Sequence, residues 1–211
     1  MNPTVRLIST TLVIAATAVA SLAGAIRFTS TWKSMDAGQV SFAGKKVAAL
    51  VISNNDSLRV AGEESLAREL TARFMQGVPT YRIAPKEELQ KAETAKPWFE
   101  KANIEGVVVV RPVSIESRTD HSPSIWVTPA YNSLWGYYGY GWSTVIVGGA
   151  PRTETSVVVE TTIYSVPRDA LLWAAVTEST NARDLPSFIQ ELVKQSVKVL
   201  QEQGLAKTQP R

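Results

Sequence analysis

Lys46-Val47-Ala48-Ala49-Leu50-Val51-Ile52-Ser53 is an apolar run with no alternation, and Asn54-Asn55-Asp56 closes it. A strand with one wet face alternates polar and apolar residues, whereas a strand covered on both faces has no need to. The run therefore predicts a central strand in a sheet flanked by helices. Asn and Asp side chains accept hydrogen bonds from the free N–H groups of a first helical turn, so the closing residues also predict a helix start. Leu58, Gly62, Leu66, Leu70 and Phe74 then recur at steps of four, with Ala61, Ala67 and Thr71 beside them. Glu63, Glu64, Arg68, Glu69 and Arg73 occupy the remaining positions and read as the solvated face of this helix, which is expected to end at Gly77.

Downstream, residues 78–83 predict a second short strand, and Pro85 suits the first turn of a second helix that restarts near Pro97. Trp98, Phe99 and Ala102 give that helix an apolar stripe before Val107-Val108-Val109-Val110 opens a third buried strand. Residues 46–117 thus read strand, helix, strand, helix, strand, and right-handed crossovers make this a parallel unit. Residues 156–166 and 171–177 alternate around the turn Pro167-Arg168-Asp169, an antiparallel hairpin. A last amphipathic helix is expected over 186–203, with Gly204 as its stop. The fold class is α/β: a three-stranded parallel βαβαβ half extended by an antiparallel hairpin, with a C-terminal amphipathic helix, in two or three layers. Residues 46–204 form one domain, 26–45 a mostly irregular tether or edge strand, and 205–211 a frayed tail.

Upstream lies a leader. Residues 7–26 carry no charge and stand between Arg6 and Arg27, and Leu22-Ala23-Gly24-Ala25 closes the stretch as a bacterial lipoprotein signal would, except that alanine stands where the lipid-accepting cysteine belongs. Residues 1–25 are read as a signal peptide cleaved after Ala25, which makes the chain exported and periplasmic or envelope-associated. An uncleaved N-terminal membrane anchor is the alternative, because about 20 apolar residues would just span a bilayer. Ala25 offers no thiol, so no lipid anchor forms there. The chain has no cysteine at all, which excludes disulfides, thiol catalysis and cysteine metal sites.

With this leader, the stretches Phe28-Thr29-Ser30-Thr31-Trp32, the 46–53 run, Leu66-Ala67-Arg68-Glu69-Leu70-Thr71-Ala72-Arg73 and Leu171-Leu172-Trp173 resemble small bacterial envelope lipoproteins of uncharacterised families. More distantly, the layout is similar to the N-terminal α/β domain of TolB and its relatives. The resemblance spans most of the chain after the leader. It implies a fold and an envelope address, and no activity.

Composition narrows the function. The 22 basic residues are dispersed among 19 acidic ones, so no basic face for nucleic acid is expected. No nucleophile motif, H-E-x-x-H, phosphate loop or dinucleotide fingerprint occurs, and no catalytic residue, metal or cofactor is assigned. The functional candidate is the long connection over 119–155. It holds Trp126, Tyr131, Trp135, Tyr137, Tyr138, Tyr140 and Trp142, seven aromatic residues in 17 positions, interleaved with Gly136, Gly139 and Gly141. Such rings on a glycine-rich loop suit a protein partner or a glycan, since Tyr and Trp give large contact area with a polar tip. They also suit peripheral contact with lipid headgroups, although no Lys or Arg lies between Arg118 and Arg152 to attract anionic lipid. A third use is to cover the sheet as core. The expected activity is non-enzymatic binding of an envelope partner or glycan through this loop. The alternative is an envelope enzyme working at the C-terminal edge of the sheet, around Arg111 and His121.

Overall fold

The computed structural model describes residues 26–73, 75–113, 123–144, 156–180 and 185–202. The leader, His121, Gly204 and the tail lie outside them. In chain order the elements are β1 (Ile26–Lys33), β2 (Lys46–Val51), α1 (Asp56–Thr71), β3 (Gln76–Pro79), α2 (Lys86–Leu89), α3 (Ala92–Lys101), β4 (Gly106–Val113), α4 (Pro129–Asn132), α5 (Leu134–Ser143), β5 (Ser156–Ser165), β6 (Ala170–Thr180) and α6 (Leu185–Glu202).

The strands form one sheet in the order β1-β6-β5-β4-β2-β3. β2 runs parallel to both β3 and β4, and the pairs β4–β5, β5–β6 and β6–β1 are antiparallel. The chain steps outward from β2 to β3 and then back across β2 to β4. Two right-handed crossovers in opposite directions must place their helices on opposite faces. The packing agrees: Val47, Ala49, Val51, Val108 and Val110 lie under α1 and α6. Ala48, Leu50, Ile52, Val107 and Val109 lie under α2, α3 and the aromatic segment. The sheet is thus the middle of three layers, which is why the run at 46–53 does not alternate.

β1 is an edge strand whose exposure alternates residue by residue. Its register with β6 shifts between Phe28 and Ser30, and the hydroxyl of the skipped Thr29 donates to the Val176 carbonyl at 3.2 Å. Asn55 caps α1, its side chain accepting from the Leu58 N–H at 3.0 Å. Three sequence expectations are corrected. Helix α1 stops at Thr71, short of Gly77, which lies inside β3. There a Cβ would stand 2.1 Å from the Ala67 carbonyl oxygen, so the glycine is needed for the close approach of β3 to α1. The second strand covers Gln76–Pro79 and not 78–83: Pro79 has no N–H for the ladder, and Thr80–Arg82 curl into a 3-10 turn. Finally, the described part of the 119–155 connection is helical and forms a layer of the core.

Candidate functional site

The aromatic segment lies across the sheet as α4 and α5. Leu134, Tyr137, Tyr138 and Gly141 face inward, the i, i+3, i+4, i+7 stripe of a helix on a core. Gly141 lets α5 settle on β2's end, since a Cβ there would meet the Ile52 Cδ1 atom at 2.6 Å. Glycines at 136, 139 and 141 oppose helix formation, so the helix needs outside support. Ser133 caps it by accepting from the Gly136 N–H at 3.2 Å. Asp169, in the β5–β6 turn, accepts from the Ser133 hydroxyl at 2.8 Å and from the Trp135 N–H at 3.2 Å. A carboxylate at a helix N-terminus also meets the positive end of its dipole.

Beneath α5 is a buried charge network. Arg111 on β4 and Glu160 on β5 are register partners, 4 % and 0 % exposed. The Arg111 Nη2 atom donates to both Glu160 oxygens at 3.2 Å, and Nε donates to Oε1 at 3.2 Å. Nη1 donates to the Thr144 hydroxyl at 2.8 Å, which ties the strand to the end of α5. Tyr137 and Tyr131 both donate hydroxyl protons to Glu160, the latter at 3.2 Å. The guanidinium stands 5.1 Å from the Tyr140 ring centre and 5.8 Å from that of Tyr137. Burial works against the Arg111 cation, and its neighbours Tyr137 and Glu160 more than reverse this, so its pKa is raised. Burial first, and then the charge of Glu160, push the Tyr137 and Tyr131 hydroxyls well up. The tyrosines therefore stay protonated donors to a fixed carboxylate.

This geometry sorts the residues singled out in the sequence. Trp126, Tyr131, Tyr137 and Tyr138 are fully or almost fully buried and present no ring face to a partner, because the segment folds onto the sheet instead of standing away from it. Trp135, Tyr140 and Trp142 are partly buried, packed against the same core while part of each residue stays exposed. Arg111, expected at the open edge of the strands, is buried under α5 and bonded to Glu160. His121 lies outside the described residues. Among the described residues no three His, Asp or Glu side chains gather as a metal site, and no helix is long and apolar enough to cross a membrane.

Glu160 was missed because its partner is 49 residues away and only strand register joins them. Glu63 departs from the expected solvated face: it is 0 % exposed, accepting from the Thr80 hydroxyl at 2.6 Å and the Tyr81 N–H at 2.9 Å, with Arg59 at 3.4 Å. The 3-10 turn after β3 supplies those donors, which is why that turn replaces strand. Burial raises the Glu63 pKa above its ordinary 4.5, against the opposing bonds from Thr80 and Tyr81 and the charge of Arg59. A raised carboxyl pKa means the folded state holds the proton more tightly than the unfolded chain. Its contribution to stability therefore falls as pH climbs from the unfolded value toward the folded one. Glu63→Gln has no proton to lose. The melting-temperature advantage of the wild type over this variant is expected to shrink as pH rises from 4.5 toward neutrality; an advantage that grows with pH would contradict the assignment.

Fold and site together define a three-layer α/β/α domain with an aromatic helix clamped over a buried Arg–Glu pair. No family model matches this chain, and no curated protein does. Among solved structures it is similar to the PelC dodecamer from Paraburkholderia phytofirmans, with 19% identity over 88% of this chain and 99% of that one, at a TM-score of 0.43. A point variant of the same PelC dodecamer aligns with 19% identity over 87% of this chain and 99% of that one, at a TM-score of 0.44.

Proposed function

We propose that this chain is a non-enzymatic cell-envelope protein that binds a protein partner or a glycan through the exposed side of α5, with Trp135, Tyr140 and Trp142 as the contact rings. The address rests on the leader at 1–25. The carrying observation is that these three aromatic residues remain partly exposed on a helix whose other face is locked to the sheet. Rings held this way lose little freedom on binding, and a large contact area then converts efficiently into affinity.

Gly139 supports the same reading. Its position is exposed, a Cβ there would meet nothing within 4 Å, and its φ is not positive, so the fold itself places no demand for glycine. Glycine inside a helix costs about 0.5–1 kcal/mol relative to alanine. A partner whose surface must come close to the helix backbone gives that cost a purpose. Gly136 differs, since a Cβ there would stand 2.5 Å from the Pro129 carbonyl oxygen.

The test uses variants that keep the fold. Trp135→Leu combined with Trp142→Leu is expected to cut retention on peptidoglycan, or on a purified envelope partner, at least fivefold while the circular dichroism spectrum is preserved. Gly139→Ala is expected to raise stability by about 0.5–1 kcal/mol and yet weaken the same retention. Full retention by folded variants of both kinds would refute the proposal.

A further inference from the structure

Along the β3 edge, on the same face of the sheet as α5, lies a cleft of about 270 Å³. Its floor is apolar, made by Val78, Ile83, Ala102 and Ile104, with Trp98 as a wall. Its rim is cationic: Lys46, Arg82 and Lys101 line it, and no acidic residue does. None of these residues belongs to the aromatic segment.

The rim is partly organised. The Lys46 ammonium donates to the Ala102 carbonyl at 3.1 Å, which holds it at the cleft and leaves two N–H groups to bond elsewhere. The Lys101 ammonium stands 5.6 Å from the centre of the Trp98 ring. Arg82 already has a carboxylate, Glu64 at 2.7 Å, and also donates to the Tyr81 hydroxyl at 3.0 Å. The cleft's uncompensated charge is therefore that of two lysines, set above an apolar floor.

That combination selects an occupant. The volume falls just below the usual range of ligand sites, roughly 300 to 1,000 Å³, so a nucleotide is too large. No hydroxyl or amide side chain lines the cleft to read the hydroxyls of a sugar. A ligand that is wholly apolar would leave the lysines without use, and an inorganic anion would leave the floor wet. We propose that the cleft binds a small carboxylate with an apolar body of one ring or a short chain, its carboxylate held by Lys46 and Lys101 and its body lying on Val78, Ile83 and Ile104 against Trp98.

The test uses the whole protein, uniformly 15N-labelled, titrated with phenylacetate and followed by NMR. The Trp98 indole signal is identified from its absence in Trp98→Phe. The expected result is saturable shifts of that indole and of the Ile104 amide. Phenylacetamide, the neutral analogue, should bind about tenfold more weakly or worse. Lys46→Gln with Lys101→Gln should weaken phenylacetate to a similar extent at unchanged melting temperature. Equal binding of the neutral analogue, unchanged binding by the double variant, or shifts confined to other residues would overturn the proposal. So would tighter binding of glucuronate than of phenylacetate, since a polar body would then be the better fit. The readout involves no residue of α5, so its failure leaves the reading of that helix standing, and the reverse also holds.

Discussion

Glu160→Ala loses about 3–5 kcal/mol of folding stability in urea or thermal unfolding, because it leaves the Arg111 cation buried without its counter-charge and removes the acceptor of two tyrosine hydroxyls. Stability of a domain this size is typically about 5–15 kcal/mol, so the variant sits close to unfolding. Arg111→Ala should be comparably damaging, since it strands the carboxylate. Replacing both together, Arg111→Met with Glu160→Leu, should recover most of the loss. Desolvating two charges offsets much of their attraction, and an apolar pair of similar volume avoids that penalty. If the double variant is no more stable than Glu160→Ala, the network is worth more than its charges, and the tyrosine bonds carry the difference.

The second large effect is expected at Phe99. Its side chain is fully buried on α3 and meets Trp135 edge-on at 5.7 Å and Tyr138 at 6.1 Å, so it joins the crossover helix to the aromatic one. Phe99→Ala should cost about 3–5 kcal/mol, the range for removing a buried aromatic ring. Phe99→Leu keeps most of the volume and should cost under about 1.5 kcal/mol. Near-ultraviolet circular dichroism separates local from global loss: in the alanine variant the signal from Trp135 should weaken under conditions where the far-ultraviolet spectrum is still native. A loss of less than about 1 kcal/mol in Phe99→Ala would show that α5 is held to the sheet independently of α3.

The contrast between what was legible and what was not follows the range of the interactions. The runs at 46–53 and 107–110, the alternation around Pro167-Arg168-Asp169 and the stripe of Phe188, Ile189, Leu192 and Val193 are local patterns, and each corresponds to an observed element. The non-alternating run marks the sheet as covered on both faces, but which helix covers which face follows only from the crossovers. The 126–142 segment reads as a loop because it lies in a connection far longer than usual and its glycines oppose a helix. Leu134, Tyr137, Tyr138 and Gly141 nevertheless fall at helical spacing behind a capping Ser133. Glu63 beside Glu64 looks like a wet helix face until Thr80 and Tyr81, 17 and 18 residues on, close over one of them. Arg111 stands out in the sequence for its place at a strand's end, but its role is set by Glu160, a register partner that no spacing rule supplies.

The cap that Asp169 places on α5 has a consequence for the order in which the molecule is made. A ten-residue helix with three glycines is unstable by itself, and both its cap and Glu160 lie on a hairpin encoded further along the chain. Residues 134–143 therefore emerge during synthesis before the hairpin that will hold them exists. Five of the chain's aromatic rings pass that interval unsheltered, and α5 closes over the sheet only once β5 and β6 have paired.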